Sequence, residues 1–120
     1  MTKKVERAIQ RAVFAWLTKE YPNVMVHATM NEANYKDMAM GNCEGIPDLI
    51  LWWTKDFELH TFFLELKTRK GKLSPSQKRW ATEMKPVARN TYYSVAYGLS
   101  DAKTQLSSVL PLSRGATTQK

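Results

Sequence analysis

The chain has 120 residues, 43% apolar and 11% aromatic, enough for one compact domain with a modest core. Eighteen Lys and Arg against eleven Asp and Glu leave a net charge of +7, which favours polyanionic partners, nucleic acid first. The single cysteine, Cys43, excludes an intrachain disulfide and points to a reducing, cytoplasmic setting. The opening "MTKKVERAIQRAVFAWLTKEYP" has no long uncharged apolar run, so neither a secretory signal nor a membrane span is expected.

Residues 3–21 predict an amphipathic helix, with Val5, Ile9, Ala12, Val13, Trp16 and Leu17 at helical spacing. Thr2 can cap its start, and Pro22-Asn23 ends it. "VMVHAT", 24–29, reads as a short strand. Residues 30–46, "MNEANYKDMAMGNCEGI", have no period and read as a long loop, which in a small domain is more often functional than idle. "DLILWW", 48–53, is a buried strand, "TKDFEL" turns the chain, and "HTFFLELK", 60–67, is the next strand. "TRKGK" is a basic loop. "SPSQKRWATEMK", 74–85, is a helix with Ser74 as N-cap and Pro75 at its first position; Pro86 ends or kinks it. "TYYSVAY", 91–97, is a strand closed by Gly98. Ser100 then caps a last helix over 101–110 that buries Ala102, Leu106 and Leu110. The order α-β-β-β-α-β-α predicts an α/β fold, a mixed β-sheet flanked by helices, in one domain over 1–110. Residues 111–120 read as a flexible tail.

The two central strands carry charge at matching ends. If they pair as an antiparallel hairpin with Trp53 opposite His60, Asp48 faces Glu65 at about 4.5–5.5 Å between Cβ atoms. Strand alternation then puts Glu65 and Lys67 on one face and Leu64 and Leu66 on the other. Opposed carboxylates destabilise a sheet, and burying them costs more. Lys67 offsets one charge. A hard divalent cation, Mg²⁺ or Mn²⁺, would offset the rest and could activate water for attack on phosphorus. Arg69, Lys70, Lys72, Lys78 and Arg79 form a basic run beside this point, and the helix start at Ser74 adds backbone N–H groups suited to phosphate. Each feature alone has a structural reading: an E-x-K on an exposed strand face, an Asp in a turn, a solvated basic loop. Cys43, His27 and His60 lack the paired spacing of zinc ligands.

Pro47-Asp48, sixteen intervening residues and Glu65-Leu66-Lys67 resemble the signature of the PD-(D/E)XK nucleases, whose core also has the α-β-β-β-α-β order. "GIPDLIL", "FLELKTRKGKLSPSQKRW" and the later Y-x-V-A-Y-G narrow this to a resemblance to the VRR-NUC (virus-type replication-repair nuclease) group, over roughly residues 3–110. The resemblance implies that Asp48 and Glu65 bind the metal, with the Leu66 carbonyl as a further ligand, and that Lys67 is the catalytic lysine. It also implies that Glu6 joins the metal site, although Glu6 reads equally as a first-turn glutamate favoured by the helix dipole. Gln77 matches a glutamine near the catalytic lysine, and Ser74-x-x-Gln77 is also a capping box.

Stand-alone domains of this group occur in phages and bacteria. Such domains resemble structure-specific DNA endonucleases, some of them homodimers that cut four-way (Holliday) junctions. The expectation is a Mg²⁺- or Mn²⁺-dependent endonuclease on branched DNA, acting as a homodimer. The alternatives are a flap or duplex-end nuclease and a DNA-binding module that keeps the fold without cutting.

Overall fold

The computed structural model of the chain describes residues 2–29, 45–84 and 89–111, with side chains from Val5 onward. The Thr2 cap, most of the 30–46 loop including Cys43, the break at Pro86 and nearly all of the tail lie outside the described residues. The elements are α1 (Thr2–Glu20), β1 (Met25–Ala28), β2 (Leu49–Lys55), β3 (Glu58–Lys67), α2 (Pro75–Met84), β4 (Thr91–Tyr97) and α3 (Leu99–Ser107). The expected order α-β-β-β-α-β-α therefore holds. The four strands form one sheet in the order β1-β2-β3-β4. The first two pairings are antiparallel and β3–β4 is parallel. A parallel pair needs a crossover, and α2 supplies it.

The central hairpin has the register that the alternation predicts: Trp53 opposes His60 and Leu49 opposes Leu64. Its turn is shorter than "TKDFEL". Only Asp56 and Phe57 stand between Lys55 and Glu58, both with positive φ (55° and 66°), as a two-residue turn matched to strand twist requires. The turn is braced from β4's approach. Arg89 donates to both Glu58 oxygens at 3.1 and 2.9 Å, and the Asn90 amide donates to Oε1 at 3.0 Å.

One sheet face is apolar. Leu49, Leu51, Trp53, Phe62, Leu64, Leu66 and Ala96 pack with Val13 and Leu17 of α1 and Ala102 and Leu106 of α3. Val5, expected on the buried face of α1, is half exposed; the helix periodicity runs on past the surface that covers it. Two expectations for the last helix also change. It spans Leu99–Ser107 rather than 101–110, and its N-cap is Gly98 (φ 100°) with no side-chain cap bond, not Ser100. Asp101 instead accepts the Tyr97 N–H at 2.8 Å, which lets the helix start earlier. Among the described residues no helix is long and apolar enough to cross a membrane.

Candidate functional site

The opposite sheet face carries the charge. Asp48 lies one step beyond the Leu49–Leu64 pair, so it stands opposite Glu65 at the open end of the hairpin. Local bonds fix it there. The Leu66 N–H donates to Asp48 Oδ2 at 2.7 Å, the Thr29 N–H donates to the Asp48 carbonyl at 2.9 Å, and the Thr29 hydroxyl donates to the Pro47 carbonyl at 2.6 Å. Upstream, Gly45 has φ +79°, and a Cβ there would lie 2.7 Å from Ser76 at the start of α2. Glycine at 45 is thus needed twice over, for its backbone angle and for the close approach that brings Asp48 under α2.

Glu65, Lys67 and Asp48 are all buried, Glu65 to 1% residual exposure. The Gln77 amide donates to Glu65 Oε2 at 2.9 Å. Glu65 Oε1 is buried with no hydrogen-bond partner among the described residues. Burial, then the neighbouring Asp48 charge, push the Glu65 carboxyl up to about 9; Lys67 pulls the other way, while a hydrogen bond with Asp48 and the Glu6 charge raise it further. A carboxyl in that state keeps its proton at neutral pH.

Gln77 does two jobs. Its Oε1 accepts the Ser74 N–H at 2.8 Å and its own N–H donates to Ser74 Oγ at 3.2 Å, a complete capping box. With Oε1 so engaged, the NH₂ group is the end that faces Glu65. The box also narrows the expectation that the helix start offers free N–H groups to phosphate: the Ser74 and Gln77 amides are used, Pro75 has none, and Ser76 keeps the remaining first-turn amide.

Glu6 lies beyond the first turn of α1, so the helix-dipole reading of it does not hold. Its carboxylate is 4.0 Å from the Lys67 ammonium. Arg69, Lys70, Lys72, Lys78 and Arg79 are all exposed, the first three in the loop that follows Lys67. His27 pairs with Ile50, which pairs with Phe63; His60, three residues from Phe63, therefore points to the other face, and the two histidines do not converge. Among the described residues no three His, Cys, Asp or Glu side chains gather as a metal cluster.

Two tyrosines were missed by the sequence reading. Tyr93 and Tyr97 oppose Phe63 and Lys67 in the parallel ladder and so share the face of Glu65. The Tyr93 hydroxyl is buried with no partner among the described residues. Burial, then the charges of Glu65 and Asp48, push it up to about 12. The available signal was their spacing of four, which keeps both on one face of a strand, but which face depends on the β3–β4 pairing.

The donor set suits a hard divalent cation. Two buried carboxyls stand side by side, one with a buried oxygen lacking a partner among the described residues, and oxygen ligands are what Mg²⁺ and Mn²⁺ take.

A family model described as the VRR-NUC domain matches residues 4–97. No curated protein matches the chain. A solved structure of a "VRR_NUC domain protein" aligns with TM-score 0.60 and 20% identity, over 85% of this chain and 84% of that one, a likeness of fold.

Proposed function

The chain belongs to the VRR-NUC family, a nuclease-type domain, and from that premise we propose that it is a divalent-metal-dependent DNA endonuclease that hydrolyses phosphodiester bonds in branched DNA, four-way junctions foremost, as a homodimer. The observation that carries this reading is the Asp48–Glu65 pair: two buried carboxyls on adjacent strands at the open end of the hairpin, with Lys67 two residues along the same face as Glu65. Such a pair is costly unless a cation joins it.

Asp48 and Glu65 would hold Mg²⁺ or Mn²⁺ through their carboxylates, with the Leu66 carbonyl as a third protein ligand and Glu6 close enough to Lys67 to act through it. The chemistry a bound divalent ion supplies here is polarisation of a phosphate oxygen and a lowered pKa of water. Gln77 holds Glu65 Oε2 and so fixes which oxygen is left to bind. Lys67 presents an ammonium to the negative charge that develops on the phosphate; Glu6 keeps that side chain placed. The Arg69, Lys70, Lys72, Lys78 and Arg79 side chains and the Ser74 turn contact phosphates without reading sequence. A two-fold dimer supplies the second site that paired cuts across a junction need.

The test is labelled four-way junction, flap and plain duplex with Mg²⁺, Mn²⁺ or EDTA, with Asp48→Asn and Lys67→Ala alongside. Metal-dependent paired nicks in the junction, lost in both variants, are expected. Variants that cut as well as the parent would remove these residues from the site. A parent that binds but cuts nothing with either metal would make it a binding module.

A further inference from the structure

Tyr97 ends β4 directly opposite Lys67, so its ring stands on the face of the carboxyl pair, one strand spacing (about 4.8 Å) from the lysine backbone. The neighbouring Ala96 is fully buried in the core of the other face, as alternation requires. Unlike Glu65 and Lys67, Tyr97 is 40% exposed. The backbone beneath the ring is tied on both sides. The Tyr97 N–H donates to Asp101 at 2.8 Å, Asp101 is held by the Gln105 amide at 3.0 Å, and the Gly98 N–H donates to the Lys67 carbonyl at 2.9 Å. A large open ring on a fixed backbone at the rim of a phosphate site gains most from a flat apolar partner. Inside a duplex each base is already covered on both faces. Reaching one requires unstacking, at a cost of a few kcal/mol that is least where the base is already single-stranded. An unpaired base offers its face freely, and stacking on an aromatic side chain is worth about 1–3 kcal/mol.

We propose that Tyr97 stacks on a nucleobase, and hence that the substrate carries an unpaired nucleotide beside the phosphate that reaches Asp48 and Glu65. This rests on the nuclease reading of that site and sharpens it: a flap, a frayed end or a branch point whose bases open onto the ring fits, and uninterrupted duplex does not.

Binding is measured by fluorescence anisotropy in EDTA, with plain duplex, flap and four-way junction, for the parent, Tyr97→Ala and Tyr97→Phe. Tyr97→Ala is expected to weaken flap binding by about tenfold and duplex binding by less than about twofold. Tyr97→Phe keeps the ring and is expected to stay within about threefold of the parent on the flap. On the junction Tyr97→Ala is expected to cost as much as on the flap, and a loss no larger than on plain duplex would overturn the extension to branch points. Thermal melts check that all three proteins are folded alike. Equal losses on flap and duplex would place the ring against a sugar and overturn the proposal. Unchanged flap binding in Tyr97→Ala would overturn it too, as would a Phe variant as weak as the Ala variant. Because binding is read without metal, a protein that cuts no DNA with Mg²⁺ would sink the nuclease reading alone and leave this result to be judged separately.

Discussion

Gln77 ties the cap of α2 to the acid pair, and two substitutions can separate those roles. Gln77→Ala removes the oxygen that accepts the Ser74 N–H and the donor to Glu65. A lost cap costs about 1 kcal/mol, and a lost buried bond to a carboxyl about 1.5–3 kcal/mol. The sum, about 2.5–4 kcal/mol, corresponds to roughly 10–16 °C in a domain of this size, taking about 4 °C per kcal/mol. Gln77→Glu keeps the capping oxygen and adds a negative charge to a first turn that has no acidic residue, where the helix dipole favours it. It also places a second carboxyl, not a donor, against Glu65. Clustered buried carboxyls coexist only when protons are shared among them. The Glu variant is therefore expected near the parent's stability at pH 5.5 and close to the Ala variant's at pH 8.5. Urea titrations at both pH values in EDTA decide this. A Glu variant as weak as the Ala variant at both, or as stable as the parent at both, would refute the link between the Gln77 amide and Glu65.

Three further outcomes follow from the same geometry. Glu65 is raised from 4.5 to about 9, so the native metal-free protein holds a proton that the unfolded chain releases above pH 4.5. This stabilisation is full below that point and is lost as pH climbs toward 9, by at most about 1.4 kcal/mol per pH unit. Melting in EDTA should show the decline and Mg²⁺ should offset it more at pH 8.5 than at pH 6; an EDTA profile that rises from pH 6 to 9 contradicts it. Gly45→Ala combines a positive-φ penalty with a clash against Ser76, an expected loss of about 2–4 kcal/mol by urea denaturation. Phe57→Gly relieves a bulky residue at φ 66° that is fully exposed, and is expected to raise stability by about 1 kcal/mol; destabilisation would show that Phe57 packs in a way its exposure does not suggest.

The hairpin was legible because two constraints agreed. Alternation set the faces of 48–53 and 60–67, and a short connection left few registers, so the Trp53–His60 pair and the Asp48–Glu65 opposition could be written down from the sequence. The capping box at Ser74 and Gln77 was legible from spacing alone, but its amide's second end was not, because Glu65 is far away in sequence terms. The α3 boundary failed where "GLSDAK" offers competing caps and only the Tyr97–Asp101 bond decides between them. Glu6 could be placed on the flank of α1 but not at Lys67, since helix periodicity says nothing about which strand end the helix crosses. The sequence places Tyr93 and Tyr97 in a strand but on neither face; their place on the charged face follows from the parallel pairing with β3, which no local pattern encodes.

The direction from which a phosphate can arrive follows from how α2 sits. Trp80 packs on Phe63 with ring centres 5.6 Å apart, Gln77 bonds Glu65, and Ser76 abuts Gly45. These three contacts press the start of α2 over the acid pair and account for the burial of Glu65. They leave the far end of β3 and β4 less covered, where Tyr97 is exposed and the 69–72 loop carries three exposed basic side chains. On the proposed reading a polyanion is drawn to that end by charge and meets the exposed basic loop before the buried Lys67 and carboxyls. The order matters energetically: a phosphate brought to two bare carboxylates is repelled, whereas one held first by the basic loop arrives with part of its charge already balanced. On this geometry, removing Arg69, Lys70 and Lys72 together should weaken DNA binding and flatten its salt dependence, by a log–log slope of about 0.9 for each duplex phosphate that is no longer neutralised, while leaving the Mg²⁺-induced rise in Tm as it is in the parent. Loss of that rise in the triple variant would mean that the loop shapes the acid pair itself, and the two-stage approach would have to be abandoned.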